Sequence, residues 1–352
     1  MNMQYKTSVV IVWLIVFSFA CHHPVQEEII PVSRYLTADT VCDYPFSSMG
    51  KMILKNGHIF MVDPISAGKM YIYNTQTGQT DYFQTVDPNY LSMADDTEYY
   101  PDALLQQLPL SFFHFYVNRY FHYTLENNKV KLTRQNLQPR GGSHITKAEQ
   151  ISEKKYVTLG FFLTGLLGLC DKESKEMKYY GHYPISVDIP FERSAMENIV
   201  QSFSGNIAYS GQHSKVVYAG NRFAYLSCYH FTGKKLIFQW EKQIVPPPAT
   251  HIVDGVLKTD QTVTQGRFSG VAVAGDYIFA CYTQKNVTDT VPDVAHSILV
   301  YDMNGNHVAT YHIDCSISGI MADIEKGALY GFSFGDEDED EPVILRFQFD
   351  QI

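Results

Sequence analysis

The sequence predicts an all-β fold made of repeated sheets, and three observations carry that reading. The composition favours strands, with 25 Tyr and 22 Phe against 2 Trp, and Tyr and Phe suit the half-buried surface of a pleated sheet. Short alternating stretches such as 216–219 and 268–274 have the period-2 pattern of strands packed on their faces. A unit also recurs at roughly fifty residues, longer than the shortest blade repeats and in keeping with blades that carry added loops.

The N-terminus stands apart from this pattern. Lys6 precedes an apolar run over 9–19 that stops at Ala20-Cys21. The run is too short for a permanent membrane span, which takes roughly 20 apolar residues. Its cationic, then apolar, then small order is that of a secretory signal. Residues 1–20 are therefore expected to be a cleaved signal peptide, and Cys21 the lipidated first residue of the mature chain, bearing palmitate-type acyl groups. The competing outcome is ordinary cleavage that leaves Cys21 a free thiol. The polar segment 21–45, with His22 and His23 near its start, reads as a tether, and 46–352 as the propeller.

Each blade can be followed along the chain. The first runs from Gly57 through the strand 58–62 to 70–74, turns at Asn74-Thr75-Gln76-Thr77-Gly78, and returns over 79–83. The fifth repeats this plan, from Gly275 through 277–280 and 298–302, with a turn at Asp302-Met303-Asn304-Gly305. In both, a glycine follows the polar corner, where a hairpin turn needs positive φ. Weaker copies lie at 115–132, 156–180, 220–240 and 327–349. Six copies predict six blades; a sandwich or barrel would space its strands evenly, without this grouping.

The stretches Gly266 to Tyr282, Ile298 to Gly305 and Ile317 to Asp323 together resemble the TolB-like six-bladed propeller lipoproteins of Bacteroides-type Gram-negative envelopes. The resemblance covers most of the mature chain and is strongest in the last three blades. It implies a six-bladed propeller closed by a shared first or last blade, and a place in the envelope, lipid-anchored to the outer membrane. It implies no chemistry. The Ser-Pro-Asp-Gly turns of TolB itself are absent, so its partners do not carry over.

Net charge of −10 argues against nucleic acid, whose phosphates are bound by clustered Lys and Arg. With Cys21 lipidated, five cysteines remain, an odd number, and Cys170, Cys228 and Cys281 lie in apolar runs as buried thiols do. No Cys-x-x-Cys spacing supports zinc. The acidic run 336–341 offers carboxylates of the kind Ca²⁺ takes, with Asp336, Asp338 and Asp340 as the ligands. Flanked by two strands, the run reads first as a solvated hairpin tip.

No catalytic motif is present. A site assembled from distant loops would draw on His213, His230, His251 and His296 with Asp254 and Asp293. Strand tyrosines such as Tyr71, Tyr73, Tyr301 and Tyr311 read as packing between blades. The loop residues Tyr99, Tyr100, Tyr180, His182 and Tyr183 read as exposed ligand contacts, because aromatic rings with a polar tip suit saccharide and protein surfaces. The expected function is a non-enzymatic binding or scaffolding propeller that recognises an envelope protein or glycan. The alternative is a propeller hydrolase or lyase acting on extracellular glycan or peptide.

Overall fold

A computed structural model describes residues 31–46, 51–63, 69–87, 90–93, 108–114, 119–126, 129–137, 144–162, 164–183, 203–245, 249–253, 256–260, 265–286, 295–334 and 341–350. All structural statements below concern these residues. They contain strands and no helix, hence none long and apolar enough to cross a membrane. Residues 31–352 form one compact unit.

Two strands, β1 (Val32–Leu36) and β2 (Ala38–Asp43), precede the first blade. Blade 1 holds β3 (Lys51–Lys55), β4 (His58–Val62), β5 (Lys69–Asn74) and β6 (Thr80–Asp87). Blade 2 holds β7 (Tyr90–Met93), β8 (Leu110–His114), β9 (Arg119–Glu126) and β10 (Lys129–Asn136). Blade 3 is β11 (Ile145–Gln150), β12 (Lys155–Gly160), β13 (Leu167–Asp171) and β14 (Met177–Tyr180). Blade 4 is β15 (Gly205–Ser210), β16 (Lys215–Gly220), β17 (Tyr225–Phe231) and β18 (Leu236–Gln243). A hairpin of β19 (Ala249–Val253) and β20 (Val256–Asp260) leads to blade 5, which is β21 (Gln265–Ala274), β22 (Tyr277–Asn286), β23 (Ala295–Asp302) and β24 (His307–Ile317). Blade 6 is β25 (Gly319–Asp323), β26 (Ala328–Ser333) and β27 (Val343–Gln348).

The innermost strands β3, β8, β11, β15, β21 and β25 each touch the next, and β25 returns to β3. The ring is closed, and the protein is a six-bladed β-propeller. Along a strand, successive side chains point to opposite faces of a sheet, so one blade strand serves two interfaces. In β4, Ile59 and Met61 pack with Tyr330 and Phe332 of blade 6, while Phe60 and Val62 pack with Phe112 and Tyr123 of blade 2. Blade 4 repeats this: Val216 and Tyr218 join Val157 and Leu169 of blade 3, while Val217 and Ala219 join Ile278 and Leu299 of blade 5. Full burial of such side chains stabilises by about 1.5–3 kcal/mol each. The strand tyrosines behave as the alternation predicts: Tyr73, Tyr301 and Tyr311 are buried between blades, and Tyr71 packs at their margin.

The cysteines follow the same logic. Cys170, Cys228 and Cys281 are buried in three different interfaces, and all five described cysteines are free thiols. Burial pushes the Cys170 and Cys228 thiols up to about 11 and Cys42, beside Asp43, to about 12.

Two features depart from the sequence reading. The tether expected over 21–45 contains two strands of the propeller. β1 adds to the outer edge of β24 in parallel, and β2 pairs antiparallel with β27 to become the fourth strand of blade 6. Arg346 Nη2 donates to Asp39 Oδ2 at 3.0 Å across that seam, and Ala38 N to Asp314 Oδ1 at 3.0 Å. Blade 2, second, takes its outer strand from upstream: β7 pairs with both β6 and β10, so blades 1 and 2 share one eight-stranded sheet.

The polar corners found in the repeats are side-chain-capped turns. Asn74 Oδ1, Asp171 Oδ1 and Asp302 Oδ1 each accept two backbone amides of their own turn, at 2.8–3.1 Å. Asp171 also takes Lys155 Nζ at 2.6 Å on Oδ2. That lysine, then the two amides, hold its carboxyl well below the usual carboxylate range. The folded state therefore binds this proton less tightly than the unfolded chain. The resulting stability is complete above about pH 5, where the unfolded carboxyl is ionised, and is lost progressively as pH falls from there through the lower folded value. Asp171→Asn keeps the turn acceptor and removes the ion pair. We expect it to unfold about 1–3 kcal/mol more easily at pH 7, with the difference shrinking at pH 3. Urea melts at the two pH values check this; an equal loss at both would exclude the ionic origin.

Candidate functional site

Because neighbouring strands of a blade run antiparallel, first strands begin, second strands end, third strands begin and fourth strands end at one face of the disc. Between blades 3 and 4 this face carries a pocket of about 120 Å³, lined by Thr146, Leu159, Gly160, Phe161, Leu166, Tyr183, Phe203, Ser204 and Arg222. Its walls come from the start of β11, the end of β12, the chain just before β13 and just after β14, the entry to β15, and the turn between β16 and β17.

Local bonding sets each wall. The Phe161 amide donates to the His144 carbonyl at 2.9 Å, and Phe162 N to Gly160 O at 3.0 Å, which curls the chain back after β12. Tyr183 Oη donates to the Phe162 carbonyl at 2.8 Å while its ring lies 5.3 Å from that of Phe203. The Phe203 carbonyl in turn accepts Tyr218 Oη at 2.8 Å from the buried interface of blades 3 and 4. Ser204 Oγ donates to Asn221 Oδ1 at 2.6 Å, and Asn221 N to Ser204 O at 2.9 Å, so the turn that bears Arg222 is tied to the entry of β15.

The described lining of the pocket is largely apolar and aromatic, with Arg222 its one charged residue. No hydrogen bond or ion pair joins Arg222 to another described residue, and among the described residues no Asp or Glu lines the cavity. Burial raises Tyr183 above the ordinary phenol range, so it is neutral at physiological pH. Beside the pocket, Lys147 donates to Asn206 Oδ1, Asn206 Nδ2 to Ser269 O at 3.1 Å, and Ser269 Oγ to Ile317 O at 3.3 Å. This relay links the inner strands of blades 3, 4 and 5 to the entry of blade 6.

Of the expected contact residues, His182 is exposed and Tyr180 and Tyr183 are partly buried. Both tyrosines pack against the core between blades 3 and 4, so Tyr183 forms a wall and not an outward contact. Tyr99 and Tyr100 lie outside the described residues, as do Cys21, Asp336, Asp338 and Asp340. The strands flanking the acidic run, β26 and β27, are hairpin neighbours with Ser333 opposite Val343. Among the described residues no three His, Cys, Asp or Glu side chains are placed to hold a metal ion.

The histidines considered for catalysis do not converge. His213 sits at the opposite face, its Nε2 2.7 Å from Asp276 Oδ1 of blade 5. His230, His251 and His296 lie in strands β17, β19 and β23, not in loops, while Asp254 and Asp293 are outside the described residues. Two serine–histidine contacts, Ser111 to His122 at 2.8 Å and Ser297 to His312 at 3.4 Å, are cross-strand pairs within blades, away from the pocket. Sequence reasoning missed Thr146, Phe203 and Arg222, which belong to the start of β11, the entry to β15 and the β16–β17 turn and carry no shared motif.

No protein-family model and no curated protein matches the chain. Among solved structures, the chain is similar to a luciferin-regenerating enzyme (10% identity, 89% of this chain and 95% of that one, TM-score 0.48). It is also similar to the β-propeller domain of Cps50 (Swd1) from Myceliophteria thermophila (8% identity, 88% and 98%, TM-score 0.47). A Bacteroides fragilis protein described as exported is a third (10% identity, 92% and 99%, TM-score 0.48). At these identities the likeness concerns the fold alone and says nothing of ligand or activity.

Proposed function

We propose that this protein is an exported, lipid-anchored binding propeller, held in the outer membrane through Cys21 and recognising an envelope protein or glycan with the pocket between blades 3 and 4. The observation that carries the binding role is the pocket itself: a largely apolar, aromatic-walled recess with one cation in its described lining, built from six chain segments and tied by their own hydrogen bonds. Recesses of this make-up, largely apolar with few convergent polar groups, are the ordinary form of a ligand site. The signal pattern before Cys21 supports the anchor, since several acyl chains at about 0.8 kcal/mol per buried CH₂ hold a domain on a membrane durably.

The test places a photo-crosslinking amino acid at position 161, on the pocket wall, and separately at 234, in the β17–β18 turn on the opposite face. Both variants are expressed in the native cells, with Cys21→Ser as the unanchored control. We expect a defined adduct from 161, none from 234, and loss of the 161 adduct when the anchor is removed. Adducts from neither position would exclude recognition at this face.

A further inference from the structure

We infer that the pocket accepts an apolar group that bears a carboxylate, of the kind a peptide chain presents at its C-terminal residue. The inference rests on the reading of this pocket as a binding site and adds the chemistry of its ligand. Size is the first argument. A cavity of about 150 Å³ holds one benzene, so the 120 Å³ here admits one side chain or small ring and not a sugar ring with its hydroxyls. A buried saccharide hydroxyl without a partner costs on the order of 1–3 kcal/mol, and Leu159, Phe161, Leu166 and Phe203 offer such hydroxyls nothing.

The polar groups supply the second argument. Tyr183 gives its hydroxyl proton to Phe162 O, and Ser204 gives its own to Asn221 Oδ1. Both hydrogens are engaged within the protein. The side-chain donors left among the lining residues are the Arg222 guanidinium and the Thr146 hydroxyl, neither of which bonds another described residue. A site with donors to give and no carboxylate among its described lining residues selects an anionic acceptor. The planar guanidinium fork matches a carboxylate with two parallel hydrogen bonds, which are stronger than neutral ones. An apolar lining with one cation fits a short aliphatic or aromatic side chain whose own carboxylate reaches Arg222.

The experiment is calorimetric titration of the full mature chain with three probes: a short peptide ending in leucine, the same peptide as its C-terminal amide, and isovalerate. We expect the free-acid peptide to bind at least about tenfold more tightly than the amide, the effect of losing a charge-assisted hydrogen bond. Arg222→Met should abolish that preference without shifting the melting temperature, and Arg222→Lys should restore part of it. Binding of isovalerate with the preference kept, but not of the peptide, would assign the same chemistry to a free small acid. Equal binding of acid and amide, or an Arg222→Met protein that still prefers the acid, would overturn the proposal. If no probe binds while position 161 still crosslinks in cells, the carboxylate inference fails and the binding reading survives; if position 161 also fails, both fall.

Discussion

Deletion of residues 31–43 will leave a chain that does not unfold cooperatively, whereas deletion of 1–30 will leave the melting temperature unchanged. The difference follows from where the ring is closed. β2 is the fourth strand of blade 6 and supplies the outer partner of β27, from Ala38 opposite Phe347 to Asp43 opposite Val343. β1 covers the outer edge of β24 over five residue pairs. Their removal takes Leu36 from the core between blades 5 and 6, and Val41 and Cys42 from the core between blades 6 and 1. It also strips Asp39 from Arg346.

What remains is an open edge of hydrogen-bonding groups, the geometry that invites pairing with another chain. The last blade would be left with three strands and an uncovered apolar margin. The expected loss is on the order of a domain's whole folding free energy, about 5–15 kcal/mol. Thermal melts and size-exclusion chromatography of the two truncations decide it. A 31–43 deletion that stays monomeric and melts with the wild type would show that the seam does not close the ring.

Gly181→Ala will destabilise the wall of the pocket more than any neighbouring surface change. Gly181 follows the last residue of β14 and has φ of +73°, a conformation that strains any L side chain. A Cβ there would also lie 2.5 Å from Tyr229 Oη and 3.3 Å from its Cζ. Tyr229 is buried in the core between blades 3 and 4, so it has little room to retreat. Backbone strain of about 1–3 kcal/mol and overpacking of about 1–3 kcal/mol add to a loss of roughly 2–6 kcal/mol.

The two contributions can be separated. Tyr229→Phe removes the atom in the closest contact, so the double variant Gly181→Ala/Tyr229→Phe should be more stable than the sum of the single effects. Strict additivity would assign the whole loss to φ, and a Gly181→Ala protein with wild-type stability would contradict both causes. Because Gly181 joins Tyr180 to the segment that carries Tyr183, the same variant should weaken ligand binding at the pocket.

The repeats were legible because they rest on local chemistry. The Gly57 and Gly275 units correspond to β4–β6 and β22–β24, and their Asn74 and Asp302 corners are the turn-capping residues that the pattern implied. Alternation within strands was enough to assign Tyr73, Tyr301 and Tyr311 to the interfaces, since a period of two needs only neighbouring residues to be recognised. The seam and the pocket were not legible in this way. Residues 32–43 look like a polar leader because half of their side chains face solvent; only β24 and β27, far along the chain, make strands of them. Tyr183 read as an outward aromatic until Phe162 and Phe203 gave it a partner and a wall. The sequence alone thus determined the strands of the clear repeats, the blade count and the polar corners, which depend on residues within one hairpin of each other. Only the tertiary structure decided how the ring closes and that Thr146, Phe203 and Arg222 line one pocket, because it brings together residues that no local periodicity relates.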